Sequence, residues 1–76
     1  MNKQRRKQLR EAVGLLNQAK DMIESVMDDE QDSFDNLTEG LQQTMRGEAM
    51  EEAISNMETA MDSIDDAIDA IEDASL

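Results

Sequence analysis

The sequence predicts an all-α protein, an antiparallel two-helix hairpin with heptad packing and a short helical connector. The chain has 76 residues, three glycines and no proline. In both halves, apolar residues recur at alternating intervals of three and four, which is the heptad pattern of packed helices. The pattern breaks between the halves. We therefore expect one domain, residues 1–76, with helix 1 over about 3–31, the connector over about 32–44 and helix 2 over about 45–74.

An apolar stripe predicts helix 1, and helix 2 carries a matching stripe. We call the two stripes together the seam. Lys20 falls on a seam position, where a polar side chain fixes the register of packing at some cost in stability. The seam residues of helix 1 are Leu9, Val13, Leu16, Ile23 and Met27.

The connector contains the capping signals of a short third helix. Asn36 is followed three residues later by Glu39, as in a capping box. We therefore expect a helical turn over residues 37–43, begun by Asn36.

Helix 2 carries the longer part of the seam and a second regularity beside it. Alanine recurs every seven residues at Ala53, Ala60, Ala67 and Ala74, which lets another helix approach closely. Two helices cannot cover their stripes completely. We therefore expect self-association into a four-helix bundle, or a protein partner that covers the remaining apolar surface. The seam residues of helix 2 are Met50, Ile54, Met57, Met61, Ile64, Ile68 and Ile71.

The charge distribution favours an antiparallel arrangement. Residues 1–10 carry a charge of +5, and residues 47–76 carry −10 with no cation, within a net charge of −12. Both clusters lie at helix ends where they oppose the helix dipole. We expect the basic cluster from Lys3 to Arg10 to lie beside the acids from Asp65 to Asp73.

The composition excludes several kinds of chemistry. Without cysteine or histidine, the chain has no thiol nucleophile, no imidazole base and no thiolate or imidazole metal ligand. No apolar run approaches the length of a membrane span. We expect a cytoplasmic protein that is not an enzyme, needs no cofactor and does not bind membranes.

One acidic window partly matches a calcium-binding loop. Asp28, Glu30, Asp32 and Glu39 fall at liganding positions of the loop template. Ser33 stands where the loop requires glycine, and Asp35 where it carries an apolar residue. We therefore expect no metal here and interpret the window as a solvated acidic connector; calcium binding by these four residues is the alternative.

The outer side of helix 2 is the candidate partner-binding surface. Carboxylates recur there at heptad spacing, and short carboxylates can present a phosphate-like pattern to a protein that grips nucleic acid. The alternative is a solvated face that keeps a methionine-rich bundle soluble. The acidic face comprises Glu51, Glu52, Glu58, Asp62, Asp65, Asp66, Asp69, Glu72 and Asp73. Direct nucleic-acid binding is not expected, because the basic N-terminus lacks interleaved aromatics.

Three stretches resemble small acidic accessory proteins of phages and prophages. They are the run from Asp28 to Leu37, then Gly40-Leu41-Gln42, then Glu51-Glu52-Ala53-Ile54, after a basic start from Met1 to Lys7. The resemblance implies a two-helix accessory protein with no catalytic or binding residue to carry over. It also implies action on host machinery.

Two functions follow as hypotheses. The first is a non-enzymatic protein-binding module, specifically an acidic inhibitor of a host nuclease, defence complex or DNA-binding protein. The second is a structural or assembly protein that works through its seam. A small-ligand or calcium-binding bundle is a third alternative.

Overall fold

The computed structural model describes residues 1–76 as three helices without a strand. Helix α1 spans Lys3–Asp35, α2 spans Glu39–Gln42 and α3 spans Met45–Ala74. α1 and α3 pack side by side, and the molecule measures 58 × 15 × 12 Å. The predicted all-α hairpin is confirmed. None of the three helices is both long and apolar enough to cross a lipid bilayer.

α1 begins where predicted and ends later than predicted. The Asn2 side chain caps its start by accepting a hydrogen bond from the Arg5 amide at 2.8 Å. The helix continues to Asp35, four residues beyond the predicted end at residue 31. Phe34 lies seven residues after Met27 and is half-buried, so the apolar stripe reaches one further turn.

The predicted capping box at Asn36 is wrong. Asn36 keeps a helical backbone, with φ −79° and ψ −11°. Its amide donates to the Asp32 carbonyl, and the Leu37 amide donates to the Phe34 carbonyl, each at 3.0 Å, so both belong to the end of α1. The residue that begins α2 is Thr38, which has an extended backbone at ψ 156°. Its hydroxyl accepts a hydrogen bond from the Leu41 amide at 3.4 Å. The residue that caps a helix start typically has an extended backbone, and here Thr38 has one whereas Asn36 does not.

The connector is closed by one side chain and one close backbone contact. The Gln42 amide group donates to the Phe34 carbonyl at 3.1 Å and to the Leu37 carbonyl at 3.3 Å. Gly47, in the first turn of α3, is buried against the backbone of Gln42. The connector is therefore tied to the ends of both long helices.

The core is a single line of side chains between α1 and α3. Ile54, which is 9% exposed, is its one buried hydrophobic residue. The other residues of the predicted seam are half-buried, from Leu9 to Met27 in α1 and from Met50 to Ile71 in α3. A pair of helices covers each side chain from one side only, so much of the apolar surface stays in contact with solvent.

Candidate protein-binding surfaces

The acidic face lies along the outer side of α3. Eight of its nine carboxylates are exposed, and only Asp65 is half-buried. At 3.6 residues per turn, the heptad spacing places them in rows along the helix, about 10.5 Å apart within a row. The structure therefore presents these carboxylates as a continuous negative surface.

One cation reaches this surface. Lys20 Nζ donates to Asp65 Oδ1 at 2.7 Å, and this is the only ion pair in the chain. The hydrogen bond that Lys20 donates to Asp65 raises the pKa of Lys20 above its usual 10.5, with smaller contributions from the charges of Asp65, Glu24 and Asp21. Partial desolvation of the ammonium group opposes that increase. Lys20 is therefore firmly charged at neutral pH.

The basic cluster from Lys3 to Arg10 begins α1 and the acids from Asp65 to Asp73 end α3, so both lie toward the end of the hairpin away from the connector. The one ion pair between the helices, Lys20–Asp65, lies outside the basic cluster. No cation of the cluster forms an ion pair, and the buried Nε of Arg6 has no hydrogen-bond partner.

The calcium-loop window is not a loop. Asp28 and Asp32, which are exposed, and Glu30, which is half-buried, belong to continuous helix in α1. Glu39 is the first residue of α2. No group of three or more acidic side chains in the chain is arranged to hold a metal ion. The helical backbone spreads these side chains around α1, whereas a calcium loop folds them around one point.

A shallow apolar groove lies between the two long helices, on a different side from the Lys20–Asp65 pair. Its volume is about 380 Å³, and it is lined by Met22, Ile23 and Val26 of α1 and by Asn56, Met57 and Ala60 of α3. Met22 is 70% exposed and Val26 57%. These side chains border the groove without being covered by the hairpin itself.

The groove belongs to a longer surface without charged residues, which we call the uncharged face. In α1 it comprises Ala12, Leu15, Ala19, Met22 and Val26, and in α3 it comprises Ala53, Asn56, Ala60, Ser63, Ala67, Ala70 and Ala74. Within each helix, successive residues of this face are alternately three and four positions apart, so they lie on the same side of the helix. The alanine repeat was visible in the sequence. Its alignment with Leu15 and Met22 depends on the helix register, which the sequence did not reveal.

Comparison with family models, curated protein sequences and solved structures found no match to this chain. The resemblance to phage and prophage proteins therefore stays a prediction. The acidic face and the uncharged face are the two surfaces through which the chain could bind a partner.

Proposed function

We propose that the chain is a cytoplasmic protein-binding module, specifically a phage-type acidic inhibitor. Its acidic face would occupy a nucleic-acid-binding or regulatory surface of a host defence or DNA-processing protein. The observation that carries this proposal is the exposure of eight of the nine carboxylates, with a single lysine paired to the ninth.

The charge density of α3 supports the proposal. Residues 62–73 contain six carboxylates, and five of them are free of an ion pair because Lys20 is paired with Asp65. Twelve helical residues extend about 18 Å, which gives about one unpaired charge per 3.6 Å. A single strand of DNA carries one charge per ~3.4 Å along the duplex axis. A basic groove that fits a phosphate strand would therefore meet a similar linear charge density on this helix.

The experiment is capture of partners on the immobilised full chain from a bacterial lysate treated with nuclease. The proposal expects a nucleic-acid-binding protein that is released by duplex DNA and by salt. Raising the salt from 0.1 M to 1 M shortens the screening length from about 10 Å to about 3 Å, which weakens contacts between exposed charges. A captured protein that duplex DNA does not displace would contradict nucleic-acid mimicry.

Two triple variants, one in each long helix, test whether partner binding depends on the acidic face of α3. Asp62→Asn, Asp66→Asn and Asp69→Asn together remove three exposed charges from the acidic face and leave the Lys20–Asp65 pair intact. Asp28→Asn, Asp29→Asn and Asp32→Asn remove three exposed charges from α1. We expect only the first set to abolish capture, with helicity by circular dichroism unchanged in both. Equal losses would show that net charge alone drives binding.

A second candidate function is assembly through apolar surface, which the groove beside Met22 and Val26 favours. Here Ile64→Asp or Ile68→Asp would unfold the hairpin or separate its assemblies, because each places a charge in the half-buried seam. The triple variant of the acidic face would assemble normally. Partner capture that survives 1 M salt and this triple variant would favour assembly over inhibition.

A further inference from the structure

We propose that the uncharged face docks on the same face of a second copy of this chain, forming a four-helix bundle with two-fold symmetry. This inference rests on the apolar groove between α1 and α3 and is independent of the acidic inhibitor proposal.

The exposed area of the chain is the first argument for a second copy. The hairpin exposes 5653 Å² of surface at a mass of 8.6 kDa. A compact monomer of this mass exposes about 4,700 Å². The excess of about 950 Å² resembles the ~800 Å² that each partner buries in a standard protein interface. The hairpin thus leaves uncovered about the area that one further copy would cover.

The shape of the uncharged face makes it complementary to itself. On α1 it carries protruding side chains, since Leu15 is 66% exposed and Met22 70%. On α3 it carries small side chains at Ala53, Ala60 and Ala67. Leu15 and Met22 are seven residues apart, the same interval that separates the alanines. A two-fold axis would place α1 of each copy against α3 of the other, with large side chains opposite small ones, as an isologous interface requires.

The distribution of charge selects the same face. Charged residues make up 34% of the chain, yet the alternating spacing of three and four runs from Ala12 to Val26 and from Ala53 to Ala74 without meeting one. At about 100° per residue, Asp65 lies about 140° around α3 from Ala60. Docking through the uncharged face would therefore leave the acidic face and the Lys20–Asp65 pair in water. Since each copy has a net charge of −12, added salt should strengthen the dimer by screening repulsion.

Sedimentation equilibrium of the full chain at several concentrations and two salt concentrations tests the inference. Two adjacent substitutions form the matched pair. Asn56→Glu places a charge in the groove, and Ser55→Glu places the same charge in the outer row that continues at heptad spacing through Asp62 and Asp69. Both residues are exposed, so neither change threatens the hairpin. We expect Asn56→Glu to weaken the dimer about tenfold or more, because it buries an unpaired charge, and Ser55→Glu to leave it nearly unchanged.

A second pair tests the α1 side of the interface. Met22→Glu is expected to give a monomer and Gln18→Glu a dimer, with equal helicity by circular dichroism. A natural chain that stays monomeric throughout would overturn the inference and would point to a different protein as the occupant. A dimer that survives both Asn56→Glu and Met22→Glu would overturn the assignment of this face. The triple asparagine variant of the acidic face should dimerise at least as well as the natural chain, which separates this test from that of the inhibitor.

Discussion

Lys20 of α1 and Asp65 of α3 join the two long helices through the only ion pair in the chain, with 2.7 Å between Nζ and Oδ1. The side chains are 28% and 49% exposed. Lys20 interrupts the apolar seam of α1, and its ammonium group reaches Asp65 of α3. A one-residue slip of the helices would separate this pair, so we infer that it specifies the register.

The Lys20–Asp65 pair predicts how stability depends on pH. The pKa of Lys20 is raised above 10.5 in the folded chain and returns to its usual value on unfolding. The contribution of the pair is therefore complete below pH 10.5 and is lost as pH rises through the raised pKa. We expect the urea midpoint of the natural chain to fall across this range more steeply than that of Lys20→Met.

Lys3→Met is the control for this titration, because Lys3 is exposed and forms no ion pair. It should show the same pH dependence as the natural chain. The linkage between stability and the ionisation of Lys20 requires the urea midpoints of Lys20→Met and the natural chain to converge as pH rises. A difference between them that stays constant from about pH 9 to about pH 12 would contradict it.

Gly47 predicts a substitution that the connector cannot accommodate. A Cβ at this position would lie 2.6 Å from the carbonyl carbon of Gln42 and 2.8 Å from its Cα. Those atoms are backbone, so α2 and α3 would have to separate. We expect Gly47→Ala to reduce the free energy of unfolding by about 1–3 kcal/mol, as overpacking does. Urea denaturation followed by circular dichroism measures the change.

The same substitution at Gly14 is expected to have the opposite effect on stability. Gly14 lies inside α1, and a Cβ there would have no atom within 4 Å. Alanine should therefore stabilise the helix by about 0.5–1 kcal/mol. Stabilisation by both substitutions would show that Gln42 moves away from Gly47 without cost.

The sequence predicted the parts of the fold that depend on periodicity. The seam from Met50 to Ile71 indicated α3 with its observed bounds, and the stripe from Leu9 to Met27 indicated α1. Both signals extend over several helical turns, so local exceptions do not obscure them. The hairpin topology followed from two such helices and a short connector. Eight of the nine carboxylates of the acidic face are exposed, as its predicted position on the outer side of α3 requires, while its role in binding stays a prediction.

The parts that the sequence did not predict depend on contacts between elements. Asn36 and Thr38 are both good capping residues, and only the backbone at the end of α1 decides between them. Phe34 offered a signal for the longer α1, since it continues the spacing of Met27. The requirement for Gly47 comes from Gln42, in another helix. The uncharged face combines two helices, so it could not be assembled before the register was known.

Thr44 is expected to stabilise the start of α3. Its hydroxyl accepts a hydrogen bond from the Gly47 amide at 3.4 Å and donates one to the Leu41 carbonyl at 2.5 Å. We expect Thr44→Ala to lower the free energy of unfolding by about 1 kcal/mol, the usual cost of losing such a cap. Thr59→Ala is the control within the same helix, where the exposed Thr59 donates only to the Ser55 carbonyl. Because alanine is the better helix former, that change should be neutral or stabilising by a few tenths of a kcal/mol. Equal destabilisation by the two variants would contradict a capping role.

Ile54 is expected to contribute more to stability than any other seam residue. It is the one hydrophobic side chain that the hairpin buries, at 9% exposure. Ile54→Ala should lower the free energy of unfolding by about 2–3 kcal/mol, near the lower end of the range for buried sites, because solvent borders this narrow core. Met45→Ala is the matched control, since Met45 is 87% exposed at the start of α3 and should change stability by less than about 0.5 kcal/mol. Urea denaturation is measured at protein concentrations below and above the dissociation constant of any dimer. The comparison separates the effect of packing within the hairpin from that of packing between copies. A loss at Ile54 that appears only at high concentration would place the stabilising contact between copies instead of between α1 and α3.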